Sequence, residues 1–93
     1  MAYYRYKEWE IPDYMADSIR AYLYSGAKPS GFLLAVLCNN FTDVVRRADE
    51  TNLANLPAYV HWLNSVIPLG AWGSLEKVEK WMKDRRNLIK EDG

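Results

Sequence analysis

The sequence predicts an all-α protein, a compact bundle of about five short helices around a buried central helix, preceded by an extended aromatic N-terminal arm. Three observations carry that reading. The stretch from Leu56 to Ser74 holds Pro57 and Pro68, and between them it is apolar over most of a helical circumference. The segments on either side repeat apolar residues three and four apart, the helical spacing. The breaks between segments are Gly, Pro, Asn and Ser, which stop and cap helices.

Residues 1–10 form the arm. Tyr4, Tyr6 and Trp9 fall on one side and Arg5 and Lys7 on the other. Period-two alternation marks an extended arm or a short strand. With no second strand signal nearby, a lone hairpin is not expected. Two placements stay open: the aromatics lie on the chain's own core, or they pack on a neighbouring subunit. Residues 11–93 make a single helical domain.

The first helix runs from about Pro12 to Ser25. Asp13 and Asp17 sit near its positive end, Met15, Ile19, Tyr22 and Leu23 supply its core stripe, and Gly26 stops it. Gly26 to Gly31 is a turn cluster in which Ser30 caps a short, buried second helix, Phe32 to Cys38. Asn40 caps a third, carried by Phe41, Val44, Val45 and Ala48, with Arg46 and Arg47 facing the other way. It runs on through Leu53 to a bend near Asn55. The central helix follows, with Pro57 in its first turn and Pro68 at its end. Leu56, Val60, Leu63 and Ile67 form one apolar line, and Tyr59, Trp62 and Val66 form a second. Only His61, Asn64 and Ser65 are polar, and a helix apolar nearly all round is normally buried. Leu69 to Gly73 is a loop with glycines either side of Trp72. Ser74 caps the last helix, about Leu75 to Leu88, the one basic element, whose charge is diluted by Glu76, Glu79 and Asp84.

Composition narrows the function. Twelve basic residues balance twelve acidic ones, so no global field draws the chain to nucleic acid or to an anionic membrane. No apolar run approaches the ~20 residues that span a bilayer, and the N-terminus lacks the apolar stretch of a secretion signal. The expected location is the cytoplasm. One cysteine, Cys38, excludes an internal disulfide and any zinc or iron–sulfur spacing. Cys38 and His61 are the one conventional nucleophile–base pair, but a thiol in an apolar helix is normally inert. Asp13 and Asp17 are accounted for by the helix dipole. No metal, cofactor or catalytic residue is expected, and the chain reads as a non-enzyme.

Two loops that lead into helices invite an anion. One carries Lys28, Ser30 and Gly31. The other carries Trp72, Gly73 and Ser74, and Trp72 offers a flat face on which a base can stack. Arg46 and Arg47 add planar donors suited to phosphate. If folding gathers these places, they form a pocket for an anionic nucleotide. Neither loop matches a Walker or dinucleotide fingerprint, and ordinary capping explains the glycines and serines equally well. The surplus of aromatics (Tyr3, Tyr4, Tyr6, Trp9 and Tyr24) points to self-association or protein binding, with a homo-oligomer the commonest outcome.

Gly26…Pro29-Ser30-Gly31-Phe32-Leu33, Arg47-Ala48-Asp49…Asn52, Leu56-Pro57 and Pro68…Trp72-Gly73-Ser74…Glu76 together resemble a group of short bacteriophage and prophage proteins, mostly without an assigned function. The likeness spans roughly Ile11 to Met82. Ser30 stands where that group has a second proline, and Leu75 where it often has one; both changes fall at helix caps. The resemblance implies a protein that binds and disables host components, including defence proteins and the nucleotide signals some defences use. The leading expectation is therefore a non-catalytic, self-associating binding protein that counters host defence by sequestering an anionic nucleotide signal. The alternative is an interaction module that binds and inhibits a host protein, and a DNA-binding regulator comes third.

Overall fold

The computed structural model describes residues 1–92, with side chains described through Leu88. It is mostly helical, and it also contains a small sheet. Strands β1 (Tyr4–Tyr6) and β2 (Trp9–Ile11) pair antiparallel, with Tyr4 opposite Ile11 and Tyr6 opposite Trp9. A 3-10 turn (Asp13–Met15) leads into α1 (Ala16–Ser25). Then come α2 (Gly31–Leu37), α3 (Phe41–Arg47), α4 (Glu50–Ala54), α5 (Leu56–Ser65), a 3-10 turn (Leu69–Ala71) and α6 (Leu75–Asp92).

The hairpin corrects the expectation that no hairpin forms in the arm and qualifies the all-α class: the chain is mostly helical, with one short two-stranded sheet. Its two-residue turn puts Lys7 at φ 54°, a left-handed conformation that costs an L-residue about 1–2 kcal/mol. No Gly or Asn announces such a turn. Contacts with α5 offset its cost. Tyr6 stacks on His61 with ring centres 4.0 Å apart, the Tyr4 hydroxyl lies 2.6 Å from His61 Nδ1, and Tyr3 meets Trp62 edge-on. The Glu10 N–H donates to Asn55 Oδ1 at 2.8 Å, tying β2 to the start of α5. The arm therefore lies on the chain's own core.

Most of the caps sit where the residue types place them. Gly26, at φ 70°, ends α1, and the N–H groups of Gly26 and Ala27 return to the carbonyls of Tyr22 and Ala21. The Asn40 side chain accepts from the Asp43 N–H and opens α3. The expected run-on of α3 to Leu53 is broken. Ala48 is extended, and Asp49 Oδ1 accepts from the Asn52 N–H at 2.7 Å, starting α4 anew.

Helix α5 is central but not wrapped. Ala58, Tyr59, Trp62 and Leu63 enter the core, whereas Val60 and Val66 are exposed. Around it, α2 packs on α3 and α1 packs on α6. The core is continuous from Ile11 through Ile19, Leu33, Leu37, Tyr59 and Trp62 to Val78 and Met82. One buried amide is satisfied within it: Asn52 Oδ1 accepts from the Tyr59 hydroxyl at 2.6 Å, and the Tyr14 hydroxyl beside Asn52 donates to Asp49.

Candidate functional site

The packing of α2 on α3 leaves a cavity of about 460 Å³ closed at one end by the start of α6. That lies within the ~300–1,000 Å³ typical of small-molecule sites. Lys28 and Pro29 enter it from the α1–α2 connection. Gly31, Leu34, Ala35 and Cys38 line it from one face of α2, and Asn40, Asp43 and Arg47 line it from α3. Leu75, the first residue of α6, completes the wall. The Arg47 guanidinium lies against the bare backbone of Gly31, where a β-carbon would meet Arg47 Nη1 at 2.8 Å.

The charges are uneven. Among the described residues, Lys28 and Arg47 make no ion pair, whereas Arg46 pairs with Asp43 at 3.4 Å. Asp43 also accepts from Asn40 Nδ2 at 3.3 Å. The single acid of the lining is thus already engaged, and two cations remain to face the hollow. Leu34, Ala35 and Leu75 give it an apolar side. Cys38 is half-buried there, and burial followed by the neighbouring Glu79 carboxylate pushes its thiol up. It stays protonated, which suits a wall and not a nucleophile. His61, on α5, is held by Tyr4 and Tyr6 of β1 and is not part of this lining.

Of the residues singled out from the sequence, Lys28, Gly31 and Arg47 come together. Ser30 takes the extended N-cap conformation beside them, but its hydroxyl makes no capping bond. Arg46 is not part of the lining and pairs with Asp43 at the cavity's edge. Ser74 caps α6 by accepting from the Lys77 N–H at 3.2 Å. Gly73, at φ 120°, donates its N–H to the Leu37 carbonyl at 2.7 Å.

Trp72 does not join the cavity. The loop that carries it is fixed at two points: the Tyr22 hydroxyl donates to the Ala71 carbonyl at 2.6 Å, and Gly73 is sewn to the end of α2. Between them the indole falls into a separate groove with Val36, Phe41, Val44 and Leu63. Val36 and Gly31 lie on different faces of α2, since Gly31, Leu34, Ala35 and Cys38 share one face at spacings of three and four. The second loop reaches the cavity through Leu75 instead. Wall residues that sequence reading passed over fall at helical spacing from those it found: Leu34, Ala35 and Cys38 follow Gly31 along α2, and Asn40 and Asp43 precede Arg47 along α3. That spacing was the available signal.

Among the described residues no cluster of three or more potential metal ligands occurs, and no described helix is long and apolar enough to cross a membrane. No family model matches the chain, and no match is found among curated proteins or solved structures.

Proposed function

We propose that this chain is a non-catalytic binding protein of the kind small phage proteins represent, and that it takes up an anionic, nucleotide-type small molecule in the cavity between α2 and α3. The observation that carries the reading is the pair of cations, Lys28 and Arg47, facing one hollow with no acid of their own. A planar guanidinium beside bare backbone suits a phosphate. Leu34, Ala35 and Leu75 offer an apolar bed for the ligand's body, the part first assigned to Trp72. Sequestration of a host signal is the form of this reading that the resemblance noted in the sequence suggests.

Thermal unfolding with a panel of mono-, di- and cyclic nucleotides tests this. A ligand at a hundred times its Kd stabilises the folded state by about 2.7 kcal/mol. A shift is expected with at least one member, and it should be lost in Lys28→Ala and Arg47→Ala but kept in Trp72→Ala. A panel without any response, or binding that survives both cavity variants, removes the proposal.

A further inference from the structure

The cavity between α2 and α3 has two different ends. Asn39, at φ 60°, turns the chain back on itself, so the start of α2 lies beside the end of α3. One end therefore holds Lys28, Gly31 and Arg47, and the other holds Asn40, with Asp43 one turn further along α3. The seven residues of α2 set the ends about 10 Å apart, at ~1.5 Å per residue. Asn40 Oδ1 accepts from the Asp43 N–H at 3.3 Å, which fixes the amide and turns Nδ2 toward Asp43 Oδ2, also at 3.3 Å. That contact uses one of the two N–H bonds on Nδ2. Arg46 Nη1 approaches the other carboxylate oxygen at 3.4 Å. A carboxylate has about four acceptor positions, so these two long contacts leave each oxygen with one to offer. The Asp43 side chain is 33% exposed, open enough for a ligand to reach. A free donor thus stands beside two free acceptors.

We propose that this end reads the base of the nucleotide and selects guanine, with Asp43 as the specificity-determining residue. The inference rests on the reading of the cavity as a nucleotide site. The edge of guanine carries an acceptor, O6, beside two donors, N1–H and the N2 amine. The remaining N–H of Asn40 donates to O6, and the Asp43 carboxylate accepts from N1 and N2, a paired and charge-assisted contact. Adenine turns the lone pair of N1 toward the carboxylate, and uracil turns a carbonyl oxygen toward it, so both are repelled. Hypoxanthine lacks only the N2 amine and loses one of the two bonds. The shape agrees. The separation of the two ends suits the reach from a 5′-phosphate, held by Lys28 and Arg47, to that edge of a purine, and Leu34 and Ala35 lie between them for the ring.

Isothermal titration calorimetry of the full chain tests this, with the mono-, di- and cyclic nucleotides of guanine, hypoxanthine, xanthine, adenine and uracil. Within each phosphate arrangement that binds, guanine is expected to be tighter than adenine or uracil by about tenfold or more, with hypoxanthine between them. Asp43→Asn should shift the choice. Its amide still accepts from N1–H, but it sets an N–H against the guanine amine and donates instead to the C2 carbonyl of xanthine. Guanine nucleotides should weaken by about tenfold and xanthine nucleotides should gain about as much. The Asn40 cap uses the backbone N–H of Asp43, so far-UV circular dichroism of the variant should match the wild type. Should the variant misfold, the wild-type series decides alone. Equal affinity for all bases, a preference for adenine or uracil, or a guanine preference that survives Asp43→Asn would each overturn the reading of the base and leave the cavity as an anion site. Failure of every nucleotide to bind would instead remove the reading of the cavity itself, and this inference with it.

Discussion

Gly26 shows how much rests on one missing side chain. Its φ of 70° favours glycine, and a β-carbon there would come within 2.5 Å of the Met82 carbonyl oxygen and 3.1 Å of the Arg85 β-carbon. Helix α6 lies directly on the turn that closes α1, and Arg86 Nε donates to the Gly26 carbonyl at 2.9 Å from the same helix. Gly26→Ala therefore carries a left-handed strain of about 1–2 kcal/mol and a backbone collision. The expected loss is about 2 kcal/mol or more, which at ~4–8 °C per kcal/mol for a domain of this size lowers Tm by at least ~8 °C. A fall below ~4 °C would mean that α6 slides away from the turn at little cost. Gly31 differs. The atoms a β-carbon would meet there belong to the end of the flexible Arg47 side chain, so that position matters to the cavity and less to the fold.

At the scale of elements, the short helix α4 depends on the side chain that starts it. Asp49 accepts from the Asn52 N–H and then from the Tyr14 hydroxyl, and these bonds hold its carboxyl below the usual carboxylate range. A carboxyl whose folded value is depressed adds stability above its unfolded value, near ~3.9. That stability is lost as pH falls through the folded value. Asp49→Ala should thus melt below the wild type at pH 7, and the gap should narrow as pH falls below the ordinary carboxylate range and through the depressed folded value, where the wild type loses the charge. A gap in Tm that stays constant from pH 7 to pH 3 would remove the charged cap from the account. Asp49 also shows where the sequence was legible. Asn40 and Gly26 punctuate strongly and were read correctly. Ala48-Asp49 lies inside an unbroken helical pattern, so its extended backbone was not foreseen, although the aspartate was the visible cue. The hairpin hid for a similar reason: Lys7-Glu8 lacks turn chemistry, and its strands gain their stability from α5, a contact no local window contains. In the cavity, Lys28, Gly31 and Arg47 were readable as residue types. The side of α2 on which Trp72 would fall depended on the bonds from Tyr22 to Ala71 and from Gly73 to Leu37, which are long-range.

For the whole molecule, the question is whether the sheet is an appendage or part of one cooperative unit. Ile11 answers it. It ends β2, is fully buried, and belongs to the same apolar cluster as Ile19, Tyr59 and Trp62. The Tyr3 N–H closes back on its carbonyl at 2.9 Å, so the strand pair and the core are joined at one residue. A domain of 93 residues has a total stability of about 5–15 kcal/mol. Truncating a buried isoleucine costs about 2–5 kcal/mol, the larger figure where the site cannot collapse. Ile11→Ala should therefore remove a substantial share of the total, and it should do so without splitting the transition. Near-UV circular dichroism, which follows the stacked aromatics on the hairpin and α5, should coincide with far-UV circular dichroism, which follows the helices. If the aromatic signal melts first, or if the variant loses less than ~1 kcal/mol, the hairpin folds apart from the helices. Tyr4 and Tyr6 would then be a removable cover on His61, and the exposed outer face of α5 would widen when they leave.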